Sequence, residues 1–231
     1  MHLFMSNKKE SPIKLRQIAG IFCIGILFLF AYLPFSSSRE IHAQNVYLSR
    51  KSFSLSKRYS NPYVNDVMKK NILLSLAYKR GLVHKGESID WNLVEKPFET
   101  TIYLSPGSLF SFHEDIMDKY KTLTPYTLNS HFNSSEGFIS DGYLVGDGVC
   151  HLASLIYWAA KDAGLEAEAP TNHDFARIEE IEKEYGVAIY YTPGNSHNNS
   201  LQNLYIKNSK GRNIQILISF NGDKLSVAIT E

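Results

Sequence analysis

The sequence predicts a single α+β domain in which a cysteine-bearing helix packs on an antiparallel sheet, preceded by one hydrophobic N-terminal helix. Three observations predict it. First, Leu152, Leu155, Ile156, Ala159, Ala160 and Ala163 recur behind Cys150 at i, i+3, i+4, i+7, i+8 and i+11, the apolar stripe of an amphipathic helix. Second, three short runs near the C-terminus, Asn203 to Lys207, Asn213 to Phe220 and Lys224 to Thr230, read as strands, and Asn221-Gly222 is a hairpin signal. Third, Ile18 to Leu33 carries no charge and follows Lys8, Lys9, Lys14 and Arg16.

Composition bounds the function classes. Hydrophobic residues make up 44% and charged residues 20% of the 231, a globular balance that excludes wholesale disorder. The net charge is +1 with the signs interspersed, which leaves no electrostatic footprint for nucleic acid. Once the N-terminal segment is subtracted, about 170–190 residues are left for one domain. Cys23 lies in the hydrophobic run and Cys150 in the motif, so no disulfide is expected.

Along the chain, residues 1–17 are basic and belong in the cytoplasm by the positive-inside rule. Residues 18–35 read as a transmembrane anchor or an export signal, since the run is long for a signal core and short for a span of about 20 residues. Either way the remainder is exported, which makes the expected protein single-pass with its C-terminal domain outside the cytoplasm. Residues 36–60 are polar and Ser-rich and read as a linker, leaving 61–231 as the domain. A helix capped near Asn65 and Asp66 should run through Met68, Ile72, Leu73 and Leu76 to Gly81. Thr100 to Leu104 is a strand, Pro106-Gly107 a turn, and Leu109 to Phe112 a second strand. Residues 114–140 read as a long surface loop. Gly164 closes the cysteine helix, and Leu165 to Ala169 is a short strand. Ile178, Ile181 and Tyr185 suggest a surface helix over 176–185; Val187 to Tyr191 is a strong strand, and the last three strands form a meander.

The stretch that carries chemistry is Gly146-Asp147-Gly148-Val149-Cys150-His151. It delivers a thiol to a helix N-terminus, where the dipole and unpaired N–H groups favour the thiolate. This Gly-x-Gly-Val-Cys turn lies in an ordered series. Pro106 to Phe112 comes before it, and Ala163-Gly164-Leu165, His173, Tyr191 to Gly194, Asn203-Leu204-Tyr205 and Asn208 come after it. On these residues the chain resembles the VanW family, named from a vancomycin-resistance gene cluster, over roughly residues 100–230. It departs from the family pattern with Asp147 in place of a glycine and His151 in place of a glutamine. The resemblance implies a cell-envelope setting more than a particular reaction.

The order of helix-borne Cys, strand, His, strand and polar residue is also similar, by analogy only, to the papain and transglutaminase-like layout. In that layout Cys150 attacks an acyl carbon, His173 takes the thiol proton and returns it to the leaving amine, and Asn195 or Asn203 orients the ring. The N–H of Cys150 and a glycine N–H from Gly146 or Gly148 supply the oxyanion hole. Phe110, Phe112 and Asp174 are candidates for a substrate groove. Blander roles stand beside these: Cys150 as a small buried hydrophobe, His173 as a loop or cap residue, Asp147 as a turn-former or a charge opposing the thiolate. His151 should diverge from Cys150, one helix position away, and His113 and His197 are single loop histidines. A zinc site from Cys150, His151, His173 and His197 lacks ligand spacing, so no metal or cofactor is expected. Two functions follow from different classes. One is a cysteine-dependent hydrolase or acyltransferase on cell-wall peptide amides, which needs Cys150 partly exposed with His173 about 3–4 Å away. The other is a non-catalytic module that binds peptidoglycan or an envelope protein and tolerates a buried thiol.

Overall fold

The computed structural model describes residues 46–231, so the anchor and basic terminus expected within residues 1–35 lie outside the described residues. Among the described residues no helix is long and apolar enough to cross a membrane. Residues 46–231 build an α+β fold with two antiparallel sheets. Four strands, β1 (Tyr47–Ser54), β2 (Phe98–Leu104), β6 (Ile214–Phe220) and β7 (Lys224–Thr230), form the larger sheet in the order β1-β7-β6-β2. The smaller sheet holds β3 (Leu109–Ser111), β4 (Glu166–Glu168) and β5 (Tyr205–Lys207) in the order β3-β5-β4.

β6 and β7 form because IQILISF puts Ile214, Ile216, Ile218 and Phe220 on one buried face and Asn221-Gly222 turns the chain, with Gly222 at φ +102°. Their register pairs Ile216 with Ile229 and Ile218 with Val227, aligning one apolar face. The expected terminal meander is split, however: β5 leaves β6 and pairs with β3 and β4. Asn208 secures the parting, its buried amide donating to the carbonyls of Leu104 and Arg212 at 2.8 Å each. The expected linker is also corrected, because β1 lies inside it and pairs with β7 from Tyr47↔Thr230 to Ser54↔Lys224. As an edge strand rich in Ser, Arg and Lys it buries few side chains, Ser49 and Phe53 among them, so it lacks an apolar signature.

Helix α1 (Pro62–Lys79) starts a few residues before the expected cap, with the Asn61 side chain accepting from Tyr63 N–H and Pro62 in the first turn. Asn65 instead lies buried and bonds the Ser56–Tyr59 turn. Short α2 (Trp91–Val94) follows, capped by Asp90. Helix α3 (Val149–Asp162) carries Cys150 and packs against β1 and β7 of the larger sheet, against β4, and against α1. Its buried Leu152, Leu155 and Ile156 meet Leu73, Ile216 and Val227 in one core. Residues 114–140 are irregular, yet Tyr120, Leu128, Phe132 and Phe138 are buried, so this segment is a wall of the core rather than a surface loop. The expected helix over 176–185 is a series of turns. Ile178 and Ile181 are buried, and Arg58 fixes the path by donating to Glu179 O at 3.1 Å and pairing with Glu180. Residues 187–191 run extended but join no sheet, and α4 (Ser196–Leu201) occupies the polar crossing after them.

Candidate functional site: a cavity at the start of helix α3

Two glycines at positive φ, Gly146 at +90° and Gly148 at +95°, bend the chain into α3. Gly148 is obligatory in two ways. Its φ suits glycine, and a Cβ there would sit 2.8 Å from the Met68 carbonyl oxygen. The fully buried Asn71 of α1 locks the turn by donating to Ile139 O (2.8 Å) and Asp147 O (2.9 Å) and accepting from Ile139 N–H (3.0 Å). Asn71 carried no motif signal; a buried amide inside an otherwise apolar helix run is the only trace it leaves in the sequence.

At the end of this turn, Cys150 and Ser154 stand one helical turn apart and face the extended segment 187–189. Ile189 N–H donates to Cys150 Sγ (3.3 Å), the thiol donates back to Ile189 O (3.6 Å), and Val187 N–H donates to Ser154 Oγ (2.9 Å). The two side chains thus satisfy alternate N–H groups of a strand-like segment that has no sheet partner. Burial pushes the thiol up to about 11; the Ile189 hydrogen bond pulls it down less, and the Asp147 charge adds to the rise. Cys150 is therefore a protonated thiol at neutral pH.

Cys150, His151, His173 and Asp147 line one cavity of about 140 Å3. The imidazole of His173 is fixed: its Nδ1 must donate to the Ala176 carbonyl (3.1 Å), which leaves Nε2 as the free lone pair. Burial lowers its pKa. No hydrogen bond joins His173 to Cys150 among the described residues. His151, expected to point away, lines the same cavity. Its side chain is buried and its Nδ1 has no partner. Burial, then the charge of Arg58, pushes it down to about 3, so it is neutral. Tyr59 stacks on it with centroids 6.3 Å apart, and the His173 ring meets it edge-on at 6.2 Å.

The other expected site residues lie elsewhere. Asn203 is fully buried and serves a different histidine. Its amide donates to His113 Nδ1 (3.3 Å) and Ser111 Oγ (2.9 Å), and its Oδ1 accepts from Phe112 N–H (3.0 Å). Asn195 is exposed at the start of α4 and lines neither cavity. Phe110 and Phe112 sit two apart and turn the same way into the core, fully buried, so they form no groove. Asp174 is exposed and lines a second cavity of about 670 Å3, walled by Trp158, Ile178 and Ile181, with His173 as the common wall. His197 is exposed. Among the described residues no three His, Cys, Asp or Glu side chains converge on a metal position.

A second polar cluster lies beyond Tyr191. His131 Nδ1 bonds Glu136 Oε1 (2.8 Å), its Nε2 bonds Glu114 Oε1 (2.6 Å), and its backbone N–H donates to Glu136 Oε2 (2.6 Å). The Tyr191 ring packs on the imidazole at 4.3 Å. Burial lowers the His131 pKa, but the hydrogen bonds and charges of Glu114 and Glu136 outweigh it and leave it raised.

Fold and site together define a small α+β domain with a glycine-framed cysteine–histidine cavity at a helix N-terminus. The chain belongs to the VanW-like family: the family described as VanW like protein matches residues 98–230, which takes in the cavity turn, α3, His173 and every strand except β1. Neither the curated proteins nor the solved structures hold a match to the chain.

Proposed function

We propose that this domain is a non-catalytic binding module of the cell envelope. It is tethered outside the membrane by residues 18–35 and takes a cell-wall peptide or envelope protein at the Cys150 cavity. One observation carries the reading: the thiol is used as a structural bracket, bonded to both the N–H and the C=O of Ile189, and burial raises its pKa rather than lowering it. A nucleophile needs the reverse, a lowered pKa and a base within reach. The hydrolase or acyltransferase reading keeps two points of support: Cys150 is partly exposed, and it lines a common cavity with His173, whose Nε2 is left as the free lone pair.

Iodoacetamide labelling of the full chain across pH decides between them, with peptide mapping to separate Cys150 from Cys23. The binding module predicts slow labelling at neutral pH with the same profile in His173→Ala. Cys150→Ser, which keeps a donor and an acceptor, should retain ligand binding. Labelling with an apparent pKa well under about 8.5, lost in His173→Ala, would restore the enzyme.

A further inference from the structure

The cavity at α3 has a sign. Among the described residues lining it are Asp141 and Asp147 but no lysine or arginine. The Asp147 carboxylate accepts from Asp141 N–H at 3.1 Å, and the Asp141 carboxyl lies against it. Burial first, and then this neighbour, raises Asp147 to about 6. Both carboxylates also act on the Tyr59 phenol, which places all three groups together. Two carboxylates held this close repel each other, and a cation placed between them removes that repulsion.

The rest of the wall suits what a cation would carry. Tyr59, Phe175 and Tyr190 are exposed aromatics at the mouth, and Met68, Val145 and Ile189 add apolar surface. Aromatic faces and carboxylates together recognise an ammonium, while the aliphatic groups cover its methylenes. A volume of about 140 Å3 falls below the roughly 300–1,000 Å3 of a whole small-molecule site, so it suits one side chain of a larger ligand. Independently of the acids, His151 lies in the wall 4% exposed with an orphaned Nδ1. An unpaired buried polar atom is costly and points to a missing partner.

We infer that this cavity binds a primary alkylammonium side chain of a peptide, its charge between Asp141 and Asp147 and its methylenes against Tyr59, Phe175 and Tyr190. The inference rests on the reading of this cavity as the binding site and names the chemistry that it selects. It excludes anionic ligands, for which the lining offers no cation.

The test uses the full chain in detergent and two probes, Nα-acetyl-lysine methylamide and Nα-acetyl-norleucine methylamide, which share a stem and differ in the ammonium. Binding is followed through the NMR resonances of the His151 and His173 rings. The lysine probe should shift both rings and bind at least about tenfold tighter than the norleucine probe. Asp147→Asn and Asp141→Asn should each remove most of that preference. Equal binding of the two probes overturns the ammonium assignment and leaves the cavity as a binding site. A lysine probe that moves neither ring also overturns it, while binding of whole cell-wall peptide to the full chain decides the broader reading separately.

Discussion

The cavity at α3 and the His131 cluster lie on either side of the segment Ile189–Tyr191, and they treat histidine in opposite ways. In the cavity, His151 and His173 are buried without a carboxylate partner, and both are driven towards the neutral form. Beyond Tyr191, His131 is clipped between Glu114 and Glu136 and driven towards the charged form. Burial acts in the same direction on all three rings. The carboxylates reverse the outcome at His131, whose ring is also the least deeply buried of the three. The two aspartates that the cavity does contain lie against each other, and the charge of Asp147 adds to the rise that burial gives the thiol.

The contrast can be broken from either side. Gly148→Ala should have the largest effect, since it strains a φ of +95° and drives a Cβ against the Met68 backbone. A loss of about 3 kcal/mol in urea unfolding is expected, with the His131 resonances retained in the folded fraction. Glu136→Ala should cost about 2 kcal/mol, because it removes two charge-assisted hydrogen bonds from a buried carboxylate, and it should lower the His131 pKa measured by NMR. Glu114→Ala, at a half-exposed carboxylate, should cost under about 1 kcal/mol yet lower that pKa at least as much, since Glu114 holds the imidazole through the shorter bond of 2.6 Å.

The most specific effect is the pH dependence of stability. His131 has a folded pKa above its unfolded value of about 6.5. Its contribution is complete below that value and is lost as pH rises through the folded pKa. His151 has a folded pKa near 3, below its unfolded value, so its contribution is present above about 6.5 and is lost as pH falls towards 3. His131→Asn should flatten the alkaline side of the stability profile and His151→Asn the acid side. Parallel slopes in the two variants would refute the contrast.

Much of this was legible in the sequence wherever the deciding contacts are local. The apolar stripe of α3, Gly164 behind it, and the β6–β7 hairpin follow from periodicity and turn residues a few positions apart. The place of Cys150 at a helix start was legible too, since a glycine turn announces it. What failed depended on distant partners. The turns over 176–185 are set by Arg58, 121 residues earlier for its bond to Glu179, so the spacing of Ile178 and Ile181 imitated a helix. Asn203 took His113 in place of His173 because β5 pairs with β3, a neighbour that spacing does not reveal. The His131 cluster escaped because its three members are ordinary polar residues until the chain brings Glu114 back to a loop 17 residues on.

The strand order β1-β7-β6-β2 has a consequence for how the protein is made. The earliest described strand, β1, has one neighbour, and that neighbour is β7, the last strand in the chain. The contact is drawn tight at its end, where Val46 and Glu231 exchange backbone hydrogen bonds of 3.0 Å in both directions. During synthesis β1 therefore emerges with an open edge and stays unpaired until residues 224–230 have left the ribosome, and the α3 core, which includes Val227, closes only then. The Arg, Lys and Ser residues that hid β1 from a sequence reading keep that waiting edge soluble.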